Sequence, residues 1–296
     1  MHINHSLITQ LIFCAWILTA CFSASADPNY RYKISLEHDS IDYDSKSGFV
    51  GGERTKTEWT LYFNAVNTEQ GPLSASDFLS KSSYVLFGYE QGDYDFKNSA
   101  TTDADERTTS VGLHYVTRDD IFLSLDWNHR EFKWRAQSRL FNVKTTTRSR
   151  QATLGYYFKP NLAAAITREE RETTRVDVDV DRIGFMARWL TPVSTNKWLD
   201  LSIIYSDEEE TLSSERTDTS VTALGIDFFF TRRTSAGIVF ALAESDDRDK
   251  KAKLYGYSIE HFIKPGIAFR LTWFDTQSEI DENSHQVLNF DLNFRF

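Results

Sequence analysis

Val287-Leu288-Asn289-Phe290-Asp291-Leu292-Asn293-Phe294-Arg295-Phe296 is the stretch whose reading decides the fold. Leu288, Phe290, Leu292, Phe294 and Phe296 alternate with Asn289, Asp291, Asn293 and Arg295. In a strand, a period of two puts the first set on one face and the second on the other. One face seeks an apolar medium, the other water. A half-buried strand of a soluble β-sandwich meets that demand, and so does a stave of a membrane barrel.

The same alternation recurs back toward the N-terminus. Tyr30, Tyr32, Ile34 and Leu36 begin it; Trp59, Leu61 and Phe63 continue it, and later Ile121, Leu123, Leu125 and Trp127, then Leu199, Leu201, Ile203 and Tyr205. Between Tyr30 and Phe296 there is room for about fourteen such segments, an even number as a closed antiparallel barrel needs. The connections alternate as well. Pro72, Pro160, Pro192 and Pro265 fall after even-numbered segments, and proline, which removes a ladder donor, belongs in turns. The odd-to-even connections (97–107, 136–147, 169–181, 206–218, 244–253 and 277–285) are longer and charged. Short turns on one side and long polar loops on the other distinguish a membrane barrel from a sandwich.

Composition agrees. The 296 residues have a mean hydropathy of -0.44 and 14% aromatic content, too aromatic for a disordered acidic chain. After the first two dozen residues no apolar run approaches a spanning helix, which excludes a helical membrane protein. The formal charge of -10 excludes a nucleic-acid partner, whose phosphates it would repel.

The terminal stretch resembles the closing strand of bacterial outer-membrane β-barrels. That resemblance implies that Phe290, Leu292, Phe294 and Phe296 form the signal read by the barrel-assembly machinery. Gly71-Pro72-Leu73-Ser74-Ala75-Ser76-Asp77-Phe78-Leu79 is similar to a turn found in porins of Gram-negative bacteria. The expected architecture is therefore all-β: a closed antiparallel transmembrane β-barrel of about 14 strands with short periplasmic turns and long extracellular loops. Residues 27–296 form the barrel, and 68–80 a periplasmic turn with a short helix beneath it.

Residues 1–26 carry no Asp, Glu, Lys or Arg, contain the run Leu11 to Leu18, and end in Ala24-Ser25-Ala26, the pattern of a cleaved signal peptide. Leu18-Thr19-Ala20-Cys21 offers a second reading, a lipoprotein processing box. Both cysteines, Cys14 and Cys21, lie in this segment, so the mature chain on the first reading has no thiol, which suits passage through an oxidising periplasm. The expected location is the bacterial outer membrane, among its lipids and lipopolysaccharide.

The polar face of each strand should line the lumen. Its candidates are Arg31, Lys33, Glu37, Glu58, Asn64, His114, Asp126, Asn128, Arg188, Asp200, Asp227, Glu260, Arg270, Asp291 and Arg295. These mixed charges are affordable only beside water, since Arg or Lys facing lipid near the midplane costs about 2–4 kcal/mol each. They point to a passive porin-type channel for small hydrophilic solutes or ions, narrowed by an inward outer loop or by the lining itself. Two alternatives remain: a structural barrel whose lumen is filled by its ion pairs, and a lipid-modifying enzyme of the phospholipase or deacylase kind built on His38-Asp39-Ser40. The acidic clusters Asp207 to Glu210 and Glu244 to Asp247 read as solvated loops. No zinc cluster, EF-hand or phosphate-binding loop is present, so neither a metal nor a cofactor is expected.

Overall fold

The computed structural model describes residues 29–44, 49–96, 101–136, 142–175, 178–212, 215–246, 250–278 and 284–296. The signal-peptide and lipoprotein readings fall outside them. Fourteen strands run in chain order: β1 (Asn29–Asp44), β2 (Phe49–Asn67), β3 (Tyr84–Phe96), β4 (Thr101–Val116), β5 (Ile121–Ala136), β6 (Asn142–Lys159), β7 (Leu162–Thr174), β8 (Val178–Ser194), β9 (Lys197–Leu212), β10 (Glu215–Thr231), β11 (Thr234–Ser245), β12 (Lys250–Lys264), β13 (Ile267–Ser278) and β14 (Ser284–Arg295). Each pairs antiparallel with its neighbour in sequence, and β1 pairs with β14 from Lys33↔Arg295 to Asp44↔Ser284. The sheet is a closed barrel, so no strand edge is left to be satisfied. Phe296 completes the seam: its carbonyl accepts from the N–H groups of Arg31 and Tyr32, and its own N–H donates to Tyr32.

The two ends differ. At one, the turn end, tight connections such as Pro160-Asn161, Arg232-Arg233 and Pro265-Gly266 join the strands. At the far end the strands run on well past the apolar belt, and here the expected long loops need correcting. Asp95 pairs with Asp103, Lys133 with Lys144, and Glu209 with Asp218, so much of these three expected loops is paired ladder. The acidic cluster at Asp207 to Glu210 is likewise strand, with Arg182 on Glu208 and Arg216 on Glu209. Pro192 is a second correction: it sits in the last turn-end pairs of β8, opposite Trp198.

The outer face is an apolar belt. Phe87, Val111, Leu125, Leu154, Ile166, Phe185, Ile226 and Leu288 are all exposed on it. Rings pair across or along strands at its margins, as in Tyr32 with Phe296 and Tyr257 with Trp273. A soluble protein would lose free energy on exposing this much apolar surface, roughly 25 cal/mol for each Å²; against acyl chains there is no such loss. Three aromatics at the turn end face inward instead. A β-bulge between Tyr30 and Tyr32 turns Tyr30 into the barrel, and Phe262 and Trp198 pack against the segment described next.

Candidate functional site: an occupied mouth and a charged lumen

The connection between β2 and β3 was expected to lie beneath the barrel. It lies inside the turn end. Leu73–Ala75 form a 3-10 turn and Ser76–Leu79 a single helical turn, α1. Pro72, Ala75 and Ser76 are almost wholly buried, although only the barrel wall and the segment itself are there to bury them. We call it the strap. Gly71 and Lys81, both with positive φ (65° and 48°), reverse the chain at its two ends, and glycine meets that demand at Gly71 without steric cost.

The strap touches the wall on nearly every side. Leu73 packs with Phe262 and Ala268, and Ala75 with Leu190 and Phe229. The Phe78 ring lies 5.5 Å from that of Tyr157 and 4.6 Å beneath the Arg188 guanidinium. Tyr30 and Ser76 share a hydrogen bond of 3.2 Å, and Ser83 accepts from the Val116 N–H. Two arginines hold its backbone: Arg232 donates to the carbonyls of Gly71 and Thr68, and Arg295 Nη1 donates to Leu73 O at 2.6 Å. Lys81 anchors its end with Asp120 at 2.7 Å. These polar groups sit where water is scarce, so the strap's carbonyls need those donors.

Above the strap the inner face is charged, and strand register sets the charges side by side. Glu37, Asp291, Arg270 and Glu260 face inward on one rung across β1, β14, β13 and β12. On the next, Arg54 donates to Asp39 through Nε at 2.6 Å, and Asn289 donates to both Asp39 and Glu37. Arg188 grips Asp200 through Nε and Nη2, the latter at 2.6 Å. Arg130 binds Glu106, which also accepts from Tyr94. The carboxylates lie back against the wall while the guanidiniums reach inward: the Asp39, Glu106 and Asp200 side chains are 3%, 3% and 7% exposed, but Arg54, Arg130 and Arg188 are 37%, 50% and 38% exposed. An ion-pair network that filled the lumen would bury both partners. Here Arg54 and Arg130 face open space, while Arg188 leans on Phe78 of the strap.

The remaining candidates separate. Lys33, Glu58, Asp126, Asn128 and Asp227 fall on inward positions, and His114 shares a 2.7 Å hydrogen bond with Ser124 while stacking on Tyr84. Asn64 and Arg31 are exposed at the turn end, Arg31 beside the bulge. Arg188 and Arg295 prove to be strap contacts as well as wall residues. Asp39, Arg54, Glu106, Arg130, Glu169 and Arg182 were missed. Their signal was present: in Glu53-Arg54-Thr55-Lys56-Thr57-Glu58 the alternation continues without apolar partners, so a stripe of greasy residues does not announce it. Phe290, Leu292 and Phe296 point outward and Phe294 is buried at the seam.

Alternation also bears on His38-Asp39-Ser40. Asp39 points inward to Arg54, which places His38 and Ser40 on the opposite face; His38 Nδ1 meets Thr55 Oγ1. No triad can form among three residues split across a strand.

No protein-family model matches this chain, and no curated protein sequence does. Solved structures match in shape. The Acinetobacter baumannii outer membrane protein Omp33 aligns over 91% of this chain and 99% of its own with TM-score 0.55 and 17% identity. A bacterial polysaccharide outer membrane secretin aligns over 91% and 100% with TM-score 0.56 and 11% identity. The CymD monoaromatic hydrocarbon channel aligns over 90% and 89% with TM-score 0.56 and 8% identity. At these identities the likeness is one of fold: this chain has the closed antiparallel barrel of bacterial outer-membrane proteins.

Proposed function

We propose that this chain is an outer-membrane channel for passive diffusion of small hydrophilic solutes or ions, with its turn end toward the periplasm and the strap as a closure there. The observation that carries the reading is the half-exposed guanidiniums on the inner wall, which need water beside them. In the outer membrane the apolar belt would meet lipid, the far-end hairpins lipopolysaccharide, and the C-terminal Phe290, Leu292, Phe294 and Phe296 the assembly machinery. A structural barrel with a shut lumen is the second reading, favoured by the burial of Pro72 and Ser76.

Planar-bilayer recording separates the two. The intact chain should open in brief events as the strap leaves its seat, whereas a shut structural barrel passes no current under any voltage. Arg295→Met sharpens the test. It removes a bond from a charged donor to Leu73 O, worth about 1.5–3 kcal/mol, so the open fraction should rise roughly tenfold or more in molecules whose folding is verified by gel mobility. An unchanged open fraction would mean that Arg295 does not hold the closed state.

A further inference from the structure

The inner wall is not charged throughout. Ala165, Met186, Ile204, Ala223, Ala241 and Leu254 follow one another as register partners on β7 to β12. All face inward, because Ile183, Phe185, Ile203 and Leu224 next to them face out. The adjacent rung carries the surface onward: Val239, Phe274, Val287 and Ile41 on β11, β13, β14 and β1, with Gly256 between the first two. A Cβ on Gly256 would fall 2.4 Å from Val239 Cγ1 and 2.7 Å from Phe274 Cδ1, so those side chains lie across the gap that glycine leaves.

This band has charged borders on both sides. Toward the turn end run Asp200 and Asp227, past Ser202 and Gly225, then Asn289, Asp39 and Arg54; toward the far end of β7 to β9, past Thr167, Gly184 and Ser206, run Glu169, Arg182 and Glu208. Rungs cross tilted strands, so the band climbs. Its foot is Phe122 and Tyr157 at the turn end of β5 and β6, over Phe78 of the strap, where a cavity of about 400 Å³ opens. Its top is Ile41, close to the far end of β1. Met186 and Ile204, direct partners midway, are 40% and 43% exposed to the lumen.

Apolar side chains held against lumen water are unfavourable unless something covers them. We propose that the band is a binding track for small amphipathic zwitterions, apolar amino acids in kind, whose apolar side covers the track while ammonium and carboxylate meet borders that offer both signs within one rung. The proposal rests on the wet-lumen reading and specifies what that lumen prefers.

Saturation-transfer NMR on the full detergent-purified barrel tests it with phenylalanine and serine as probes. Phenylalanine should receive saturation and serine little. The variant Met186→Ser/Ile204→Ser/Phe274→Ser should bind phenylalanine roughly tenfold more weakly, and Ile203→Ser, on the outer face, should bind as the unaltered chain does. Equal phenylalanine signals in the track variant and the unaltered chain, or equal signals for the two amino acids, would overturn the proposal. Failure of the channel reading looks different: binding persists and no current is seen.

Discussion

Replacing residues 69–82 by a two-residue Asn-Gly turn is expected to convert brief openings into a steady current, with mean conductance at least about tenfold higher, on the proposed reading of a wet lumen in a barrel between the filled eight-strand and open sixteen-strand sizes. The reasoning is geometric. The contacts that reach across the turn end, from Leu73 on Phe262 to Phe78 on Tyr157, are made by this one segment. The barrel itself does not depend on it, since closure is made by the β1–β14 ladder and the Phe296 seam. Leu190, Phe229 and Phe262 would become wet, a loss of stability that the remaining ladder should withstand. The shortened chain should therefore still show the gel mobility of a folded barrel. A folded but silent shortened barrel would place the closure elsewhere and remove the strap from the mechanism.

The second large effect concerns the face that meets lipid. Ile166→Arg, on the outer face of β7, should destabilise the barrel by about 2–4 kcal/mol in lipid, while Thr167→Arg, one residue on and facing inward, should cost far less. Thr167 sits in a line of hydroxyls with Thr153, 3.2 Å away, beside a charged rung that already holds arginine. Equilibrium unfolding in urea from lipid vesicles measures both. Similar losses for the two neighbours would mean that the two faces see the same medium, and the barrel would not be spanning a bilayer.

Much of this fold was legible because a period of two leaves little freedom once one face is apolar. The stripes at Leu199 to Tyr205 and at Leu288 to Phe296 identify both the strands and their outward side. Illegibility began where that stripe stops. Beyond Ala164 and Ile166, β7 continues through Glu169, Glu170 and Arg171 with no greasy partner, so ladder looked like loop. Tyr30 inverted because a bulge, invisible in composition, shifts the alternation by one residue. The strap is the more instructive case. Gly71-Pro72 and the apolar Leu73, Phe78 and Leu79 marked a compact turn, but whether such a turn hangs below a barrel or tucks inside depends on partners remote in sequence. Arg232, Arg295 and Phe262 supply them. The apolar track was hidden for a related reason: its members lie on different strands and are neighbours only in register.

The central claim is that alternate residues of each strand meet lipid and water. Single cysteines at Leu201, Ser202, Ile203, Ile204 and Tyr205 of β9, in a chain lacking residues 1–26 and so free of native thiols, test it directly in vesicles with a membrane-impermeant maleimide. Cysteines at 202 and 204 should react and those at 201, 203 and 205 should stay protected. Uniform labelling along the strand, or labelling of the odd positions alone, would contradict the account.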